Sequence, residues 1–176
     1  MQNKSKTNES TYLFFFGEND NKNGYLSNFF QKTSFIIDGV EYKTTEHYFM
    51  AMKAKQWKTS KNDDLFNRII KSAHPKEAKS FGRQVEKYNE TEWSKVRFNI
   101  MVEGLRNKFL QNPEYKEKLL STKEMILVEA SPYDSIWGIG MTVKDAYSLS
   151  EKEWQSILEN RNLLGKALMK VRTELQ

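Results

Sequence analysis

The stretch TTEHYFMAMKA, residues 44–54, places a carboxylate and an amine in a segment that is otherwise typical of a buried helix. Glu46 and Lys53 are seven residues apart, so on a helix they lie within about 20° of one line and two turns from each other. An unpaired buried charge is costly, so each group must be paired or must line a cavity. An internal salt bridge, a glutamate stabilised at a helix N-terminus and a pair of catalytic groups all satisfy this spacing.

The histidine next to the glutamate, His47, has an ordinary interpretation as a hydrogen-bonded core residue. The chain contains two histidines and no cysteine. Disulfides and thiolate zinc sites are therefore excluded, and the sequence predicts neither a metal site nor a cofactor.

Three further stretches carry side chains that suit a sugar or a base. In YLSNFF, Asn28 could bind a sugar or a base edge, and in YDSIWGIG, Asp134 and Trp137 could offer a carboxylate to a ribose hydroxyl and an indole for stacking. In NRNLLGKALMKVR, Asn162 begins a helix and Arg172 lies near its end. Taken singly, Asn28 is better explained as a turn residue. A surface loop anchored by Trp137 and a helix cap at Asn162 explain those residues without a ligand, so the three stretches do not identify a reaction.

Composition sets the protein class. The chain of 176 residues has a net charge of +5 and a pI near 9.2, which permits binding of phosphates or nucleic acid, yet basic and acidic residues are interleaved along it. A solvated basic surface is therefore preferred to a nucleic-acid track. With no signal-like N-terminus and no long apolar run, the sequence predicts a soluble, cytoplasmic protein without an evident obligate partner. It predicts a disordered leader over residues 1–10 and a single domain over residues 11–176.

The elements that must position these groups are mostly helices. The apolar runs TYLFFFG and SFIIDGVEYK, the second turning at Asp38 and Gly39, predict a small antiparallel sheet, and MILVEA predicts one more strand. Helix caps and prolines predict helices from Thr44 or Thr45 to about Lys55, from Asn62 or Asp63 through LFNRIIK, from Pro75 to about Gly82, from a cap at Thr91 to about Gln111, after Pro113, after a Ser150–Glu153 capping box, and after a cap at Asn162. In the last helix, Gly165 offers room for a close backbone approach. The predicted fold is a predominantly helical α+β domain.

Five blocks together resemble one family. They are YLSNFF, FIIDGVEYKTTEHYFMAMKA, TEWSKVRFNIMVEGLRNKF, DSIWGIG and NLLGKALMKVR, and their order and spacing are similar to those of the YbiA-like, or NADAR, proteins. The resemblance spans about Tyr12 to Arg172. It implies a compact, largely helical domain with a small sheet, and an activity that hydrolyses N-glycosidic bonds to a ribose. The implied substrates are phosphorylated early intermediates of riboflavin biosynthesis or ADP-ribosylated nucleic-acid bases.

The resemblance also implies which residues act. The family's motif residues fall on Glu46 and Lys53 as catalytic groups, and the substrate-binding positions fall on Asn28, Trp93, Asp134, Trp137, Asn162 and Arg172. The chain departs from the family pattern at Lys43 and Met50, where proline and glutamine are expected, and in the segment ENRN, where many members have a glycine. Neither departure removes an implied catalytic group.

The chemistry of amines explains why Glu46 and Lys53 would act together. The anomeric carbon of an N-riboside has the oxidation level of an aldehyde, so the amine of Lys53 could attack it and hold the opened sugar as an imine until water releases it. Glu46 would then move protons between the leaving nitrogen, the ring oxygen and water. In the alternative, Glu46 activates water directly and Lys53 acts through its charge. A module that binds ADP-ribose or a related nucleotide without catalysis is the alternative function.

Overall fold

A computed structural model describes residues 11–176, so the predicted leader over residues 1–10 lies outside the described residues. The strands of the described part are β1 Tyr12–Phe15, β2 Phe35–Ile37, β3 Val40–Tyr42 and β4 Ile126–Glu129. The α-helices are α1 Thr45–Gln56, α2 Ser60–Lys71, α3 Pro75–Gly82, α4 Glu90–Leu110, α5 Pro113–Leu120, α6 Val143–Ala146, α7 Glu151–Asn160 and α8 Leu163–Glu174. A 3₁₀ turn covers Gly24–Leu26. The predicted α+β class with predominant helix is confirmed.

The strands form two separate pairs. β2 and β3 form the predicted antiparallel hairpin, which turns at Asp38 and Gly39 with φ of 50° and 76° at these positions. Two successive positive φ values match the right-handed twist of the strands that the turn joins.

The prediction that β1 joins this antiparallel sheet is wrong. β1 pairs with β4 in parallel, from Tyr12 opposite Ile126 to Phe15 opposite Glu129. Phe15 enters the main core, whereas Tyr12 and Phe14 pack near Trp154 of α7. Parallel strands are usually covered on both faces, and helices far along the chain supply that cover, which the local pattern of β1 cannot reveal.

Helix α1 lies at the centre of the fold. It packs against α2, α3 and α4, and most of its side chains are buried, as the sequence predicts. Its N-cap is Thr44, whose hydroxyl accepts a hydrogen bond from the backbone N–H of His47. The His47 ring is fully buried between the Thr44 hydroxyl and the carbonyl of Ser72, and burial lowers the pKa of the imidazole to about 4. His47 is therefore the hydrogen-bonded core histidine that the sequence predicts.

Two predicted helix starts are wrong by a few residues. The N-cap of α2 is Thr59 rather than Asn62 or Asp63, and the N-cap of α4 is Asn89 rather than Thr91. The side-chain amide of Asn62 instead binds the carbonyl of Trp57 and the backbone N–H of Glu86, which ties two loops together. Several residues near each start can cap a helix, and tertiary contacts decide between them. The predicted capping box of α7, Ser150 with Glu153, is confirmed.

Helix α8 lies directly against β4. Asn162 occupies the predicted N-cap position with a φ of 61°, but its side chain does not cap the helix. It accepts a hydrogen bond from the N–H of Glu129 and donates one to the carbonyl of Leu127. The predicted close approach at Gly165 is confirmed, because a Cβ there would lie 2.0 Å from the carbonyl oxygen of Leu127.

Gly165→Ala is expected to destabilise the protein by about 1–3 kcal/mol or more, because the added methyl group meets a fixed backbone oxygen. Chemical denaturation with two-state analysis measures the change. The control is Thr173→Ala at an exposed position of α8, which should stay within about 0.5 kcal/mol. An unchanged free energy of unfolding for Gly165→Ala would contradict the close contact.

Candidate active site

Two buried carboxyl groups mark the site. Glu46, in the first turn of α1, is 4% exposed, and Glu129, the last residue of β4, is 6% exposed. Burial raises the pKa of Glu46 to about 7 and that of Glu129 to about 8. Within residues 11–176, the Oε1 atom of Glu46 has no hydrogen-bond partner. Buried polar atoms are rarely left unpaired, so this carboxyl group is typical of a functional site.

Charged side chains from other elements surround the two glutamates. Lys79 of α3 lowers and Asp134 raises the pKa of both carboxyl groups, while Arg83, which follows α3, acts on Glu46. The same two charged groups therefore act on both glutamates. The two glutamates and these charged groups come from the start of α1, the end of β4, α3 and the loop that carries Asp134.

Lys53 lies on the same helix as Glu46, two turns further on. Its side chain is half-buried, and burial lowers the pKa of the amine, while Glu90 and Glu46 oppose this shift. The Nζ atom lies 4.3 Å from the ring centre of Tyr88. In the described part of the chain no ion pair joins Lys53 to Glu46, so the internal salt bridge that the spacing allowed is not formed.

Aromatic rings line one side of this helix. Trp137 meets Phe49 edge to face at a centroid distance of 5.0 Å, and Phe49 contacts Trp93 at 5.1 Å. Trp93 is only 4% exposed, so little of its surface is open to a ligand, whereas Trp137 is half-buried. The row ends with Trp57 and Tyr88, beside Lys53.

Asn28 lies against the start of α1. Its carbonyl accepts the backbone N–H of Glu46 at 3.1 Å, and its buried side-chain oxygen Oδ1 has no partner among the described residues. Lys108 of α4 fixes the segment that precedes Asn28, because its fully buried ammonium donates to the carbonyls of Tyr25 and Ser27. Burial lowers the pKa of Lys108 to about 7. The structure thus brings Asn28 next to Glu46 and holds it there.

The loop after β4 folds back over the end of the strand. The Oδ1 atom of Asp134 accepts hydrogen bonds from the backbone N–H groups of Ile136 and Trp137, which orients the indole. The loop also packs closely at Gly138, where a Cβ would lie 2.8 Å from the carbonyl oxygen of Glu129. Asp134 and Trp137 are therefore held near Glu129 and Glu46.

Two predicted binding residues use their side chains within the fold. Asn162 bonds to the backbone of β4, as described above. Arg172 is buried and donates to the Thr122 hydroxyl at 2.7 Å and to the Met125 carbonyl at 2.9 Å. These contacts give both residues a structural role, and their contact with a substrate stays a prediction.

Sequence reasoning missed Glu129, Lys79 and Arg83. For Glu129 the sequence contains one indication of a functional position. This acidic residue ends an apolar strand just before a loop rich in turn formers. Lys79 and Arg83 lie in an ordinary amphipathic stretch, and nothing in its pattern distinguishes them from solvated lysines and arginines.

The two single-residue departures from the family pattern have local explanations. Met50 packs against α3, where the Sδ atom lies 2.1 Å from the position of a Cβ on Gly82, so the thioether fills the space beside a glycine. Lys43 donates hydrogen bonds to the carbonyls of Lys71 and Ser72 at the end of α2. Both side chains contribute to packing around α1 without adding a charge beside Glu46.

None of the described helices is long and apolar enough to span a membrane. The described histidine, aspartate and glutamate side chains form no group of three or more that could hold a metal ion.

Comparison with known proteins places this chain among related sequences. Residues 14–176 match the NADAR domain family. The chain is 39% identical over 173 residues to an N-glycosidase of Acanthamoeba polyphaga mimivirus, covering 94% of this chain and 96% of that protein. It is 30% identical over 162 residues to a riboflavin biosynthesis protein of Vibrio vulnificus, covering 92% of this chain and 38% of that protein. The NMR structure of the E. coli protein YbiA matches with a TM-score of 0.71 and 28% identity, over 94% of this chain and 85% of that one.

Proposed function

The chain belongs to the NADAR domain family, and from this premise we propose that it is an N-glycosidase that hydrolyses the bond between a ribose or phosphoribose and a nitrogen. The observation that carries the proposal is the buried Glu46 carboxyl group. One of its oxygens has no partner among residues 11–176, and the group lies on one helix with the half-buried amine of Lys53. The substrate is an early riboflavin intermediate or an ADP-ribosylated base. The cytoplasmic location inferred from the sequence is part of the same proposal.

The reaction begins at the anomeric carbon of the ribose. A lysine attacks only as the free amine, and burial of Lys53 lowers its pKa from the ordinary value, which increases the fraction of that form. As the amine attacks, the bond to the leaving nitrogen breaks, the ring opens and an imine forms. Water then adds to the imine and releases the sugar, so the net reaction consumes one water molecule.

Glu46 suits proton transfer in these steps. Its pKa of about 7 leaves both the acid and the carboxylate populated near neutral pH, so it can donate and accept protons in turn. In the alternative mechanism Glu46 activates water directly, and Lys53 stabilises negative charge.

Cationic side chains that act on Glu46 suit a phosphorylated substrate. Lys79 and Arg83 lie four residues apart at the end of α3, so they extend from the same side of that helix. Both influence Glu46 through space. A guanidinium and an ammonium suit the oxygens of a phosphate group, which supports a phosphoribosyl or ADP-ribosyl substrate over a plain riboside.

The alternative function is binding of ADP-ribose without catalysis. Binding a phosphate requires cations, and it gains nothing from two buried carboxyl groups, which repel the ligand when ionised. The presence of the two buried glutamates, Glu46 and Glu129, therefore favours the hydrolase.

Mass spectrometry of products tests the proposed function. The purified protein is incubated with a panel of N-ribosides that includes the phosphorylated riboflavin intermediates and ADP-ribosylated DNA oligonucleotides. We expect release of a free base or amine together with ribose phosphate or ADP-ribose. If the panel is bound and returned intact, the binding module is the correct function.

Trp137→Ala is expected to weaken substrate binding by about 1–3 kcal/mol, because a half-buried indole can stack on the leaving base. Calorimetry in a Glu46→Gln background measures binding without turnover. The control is Tyr147→Ala, an exposed aromatic residue of the cluster around Trp154, which should leave binding unchanged. Unchanged binding of Trp137→Ala with a lowered Tm would assign the indole to packing against Phe49.

A further inference from the structure

Glu129 is a buried titratable group that the reaction above does not use. It closes β4, and its backbone is fixed from three sides. Its N–H binds the Asn162 side chain at 3.0 Å, its carbonyl accepts the Ile139 N–H at 2.9 Å, and the residue pairs with Phe15 on β1. A residue held this tightly has its side-chain direction set by the strand.

Strand alternation shows which way that side chain points. Leu127 belongs to the main core, which includes Phe49 of α1, whereas Val128 belongs to the smaller core around Trp154. Successive side chains of a strand point to opposite faces, so Glu129 shares the face of Leu127. Its carboxyl group therefore points to the side of the sheet where α1 and Glu46 lie.

The surroundings of Glu129 favour its neutral, protonated form. The side chain is more than nine-tenths buried, and Asp134 adds negative charge nearby, while Lys79 opposes both effects only in part. Among residues 11–176, no hydrogen bond is among the influences on the pKa of this carboxyl group. In its protonated form the group has an O–H that can be donated to a substrate.

Hydrolysis through an amine nucleophile moves protons at two places. The attacking amine must lose a proton on one side of the anomeric carbon, while the leaving nitrogen must gain one on the other side. Glu46 lies on the same helix as the proposed nucleophile, Lys53. Glu129 lies on a different element, at the end of β4 and on the face that meets the main core, so it can serve the leaving nitrogen separately from Glu46.

We propose that Glu129 is the general acid that protonates the leaving nitrogen, while Glu46 serves the amine, the ring oxygen and the attacking water. This inference rests on the proposed N-glycosidase function. When the C1′–N bond breaks, its electron pair goes to the nitrogen, which takes the proton from the Glu129 carboxyl group. The carboxylate that results lies near the ammonium of Lys79, and it regains a proton from the water that hydrolyses the sugar intermediate.

Two substrates that differ only in the leaving group test this role. The first is an amine-leaving N-riboside 5-phosphate that the wild-type protein turns over. The second is 4-nitrophenyl riboside 5-phosphate, whose leaving group departs as a stable anion and needs no proton. Glu129→Gln is expected to lower kcat roughly a hundred- to ten-thousand-fold on the first substrate and less than about ten-fold on the second. Glu46→Gln should impair both, and Glu117→Gln at an exposed position of α5 should impair neither.

Equal losses on the two substrates would overturn the proposal and make Glu129 a positioning residue. If the nitrophenyl compound is not accepted, the pH profile on the N-riboside decides. In the wild-type protein kcat/KM should fall at high pH, where Glu129 loses its proton, and Glu129→Gln should abolish this fall. If the fall remains in Glu129→Gln, the role of general acid is overturned. Wild-type turnover of neither substrate class would instead refute the N-glycosidase function itself, so the two failures are distinguishable.

Discussion

Glu46→Gln is expected to lower kcat roughly a hundred- to ten-thousand-fold while the protein remains folded. The amide keeps the size of the side chain and can still form hydrogen bonds, but it cannot exchange a proton. The loss should therefore appear in kcat more than in KM, because the interaction acts in the transition state. Steady-state kinetics on an N-riboside that the wild-type protein hydrolyses measures both parameters.

The same substitution has a signed effect on stability. Burial raises the pKa of Glu46 from 4.5 to about 7, so between these pH values the folded protein binds more protons than the unfolded chain. The stability contributed by this group is fully present below pH 4.5 and is lost as the pH rises through about 7. Glu46→Gln removes that dependence.

Thermal unfolding at two pH values measures this effect. Relative to the wild-type protein, the Tm of Glu46→Gln should be higher at pH 8 than at pH 5, and Glu117→Gln on the surface of α5 should show no such trend. Turnover near the wild-type level, or a Tm that falls equally at both pH values, would assign Glu46 a structural role.

Local sequence patterns predicted what depends on local geometry. Glu46 and Lys53 share a helix face because 3.6 residues complete a turn wherever the helix lies, and the burial of α1 follows from the apolar residues around its circumference. The hairpin turn at Asp38 and Gly39 and the close approach at Gly165 are also consequences of single residues. These features needed no knowledge of which elements pack together.

The predictions that were wrong concern features that depend on contacts with residues far along the chain. β1 gave no sign of pairing with β4, which follows after more than a hundred residues. Asn162 was expected to cap its own helix, but its side-chain amide instead forms hydrogen bonds with the backbone of Leu127 and Glu129 on β4. Glu129, Lys79 and Arg83 became site residues only when strand, helix and loop met.

Lys53→Arg is expected to abolish turnover, because a guanidinium keeps the positive charge but stays protonated and cannot attack the anomeric carbon. Burial already lowers the pKa of the Lys53 amine, which favours the free base that the imine route needs. In the wild-type protein, borohydride added during turnover should reduce the imine to a stable secondary amine. Mass spectrometry of the digested protein should then find the mass of the sugar on the peptide that contains Lys53.

These two experiments distinguish a role of Lys53 as a nucleophilic amine from a role through its positive charge. Lys55→Arg, an exposed lysine at the end of the same helix, is the matched control and should keep both turnover and the adduct on Lys53. Substantial turnover by Lys53→Arg would exclude the imine and leave direct hydrolysis, with Glu46 activating water. If wild-type turnover proceeds and borohydride traps no adduct, Lys53 acts through its charge, as a cation that stabilises the developing negative charge beside the ribose. The imine route is preferred because the half-buried amine lies two turns from Glu46 on one helix face, and no ion pair within residues 11–176 keeps it protonated.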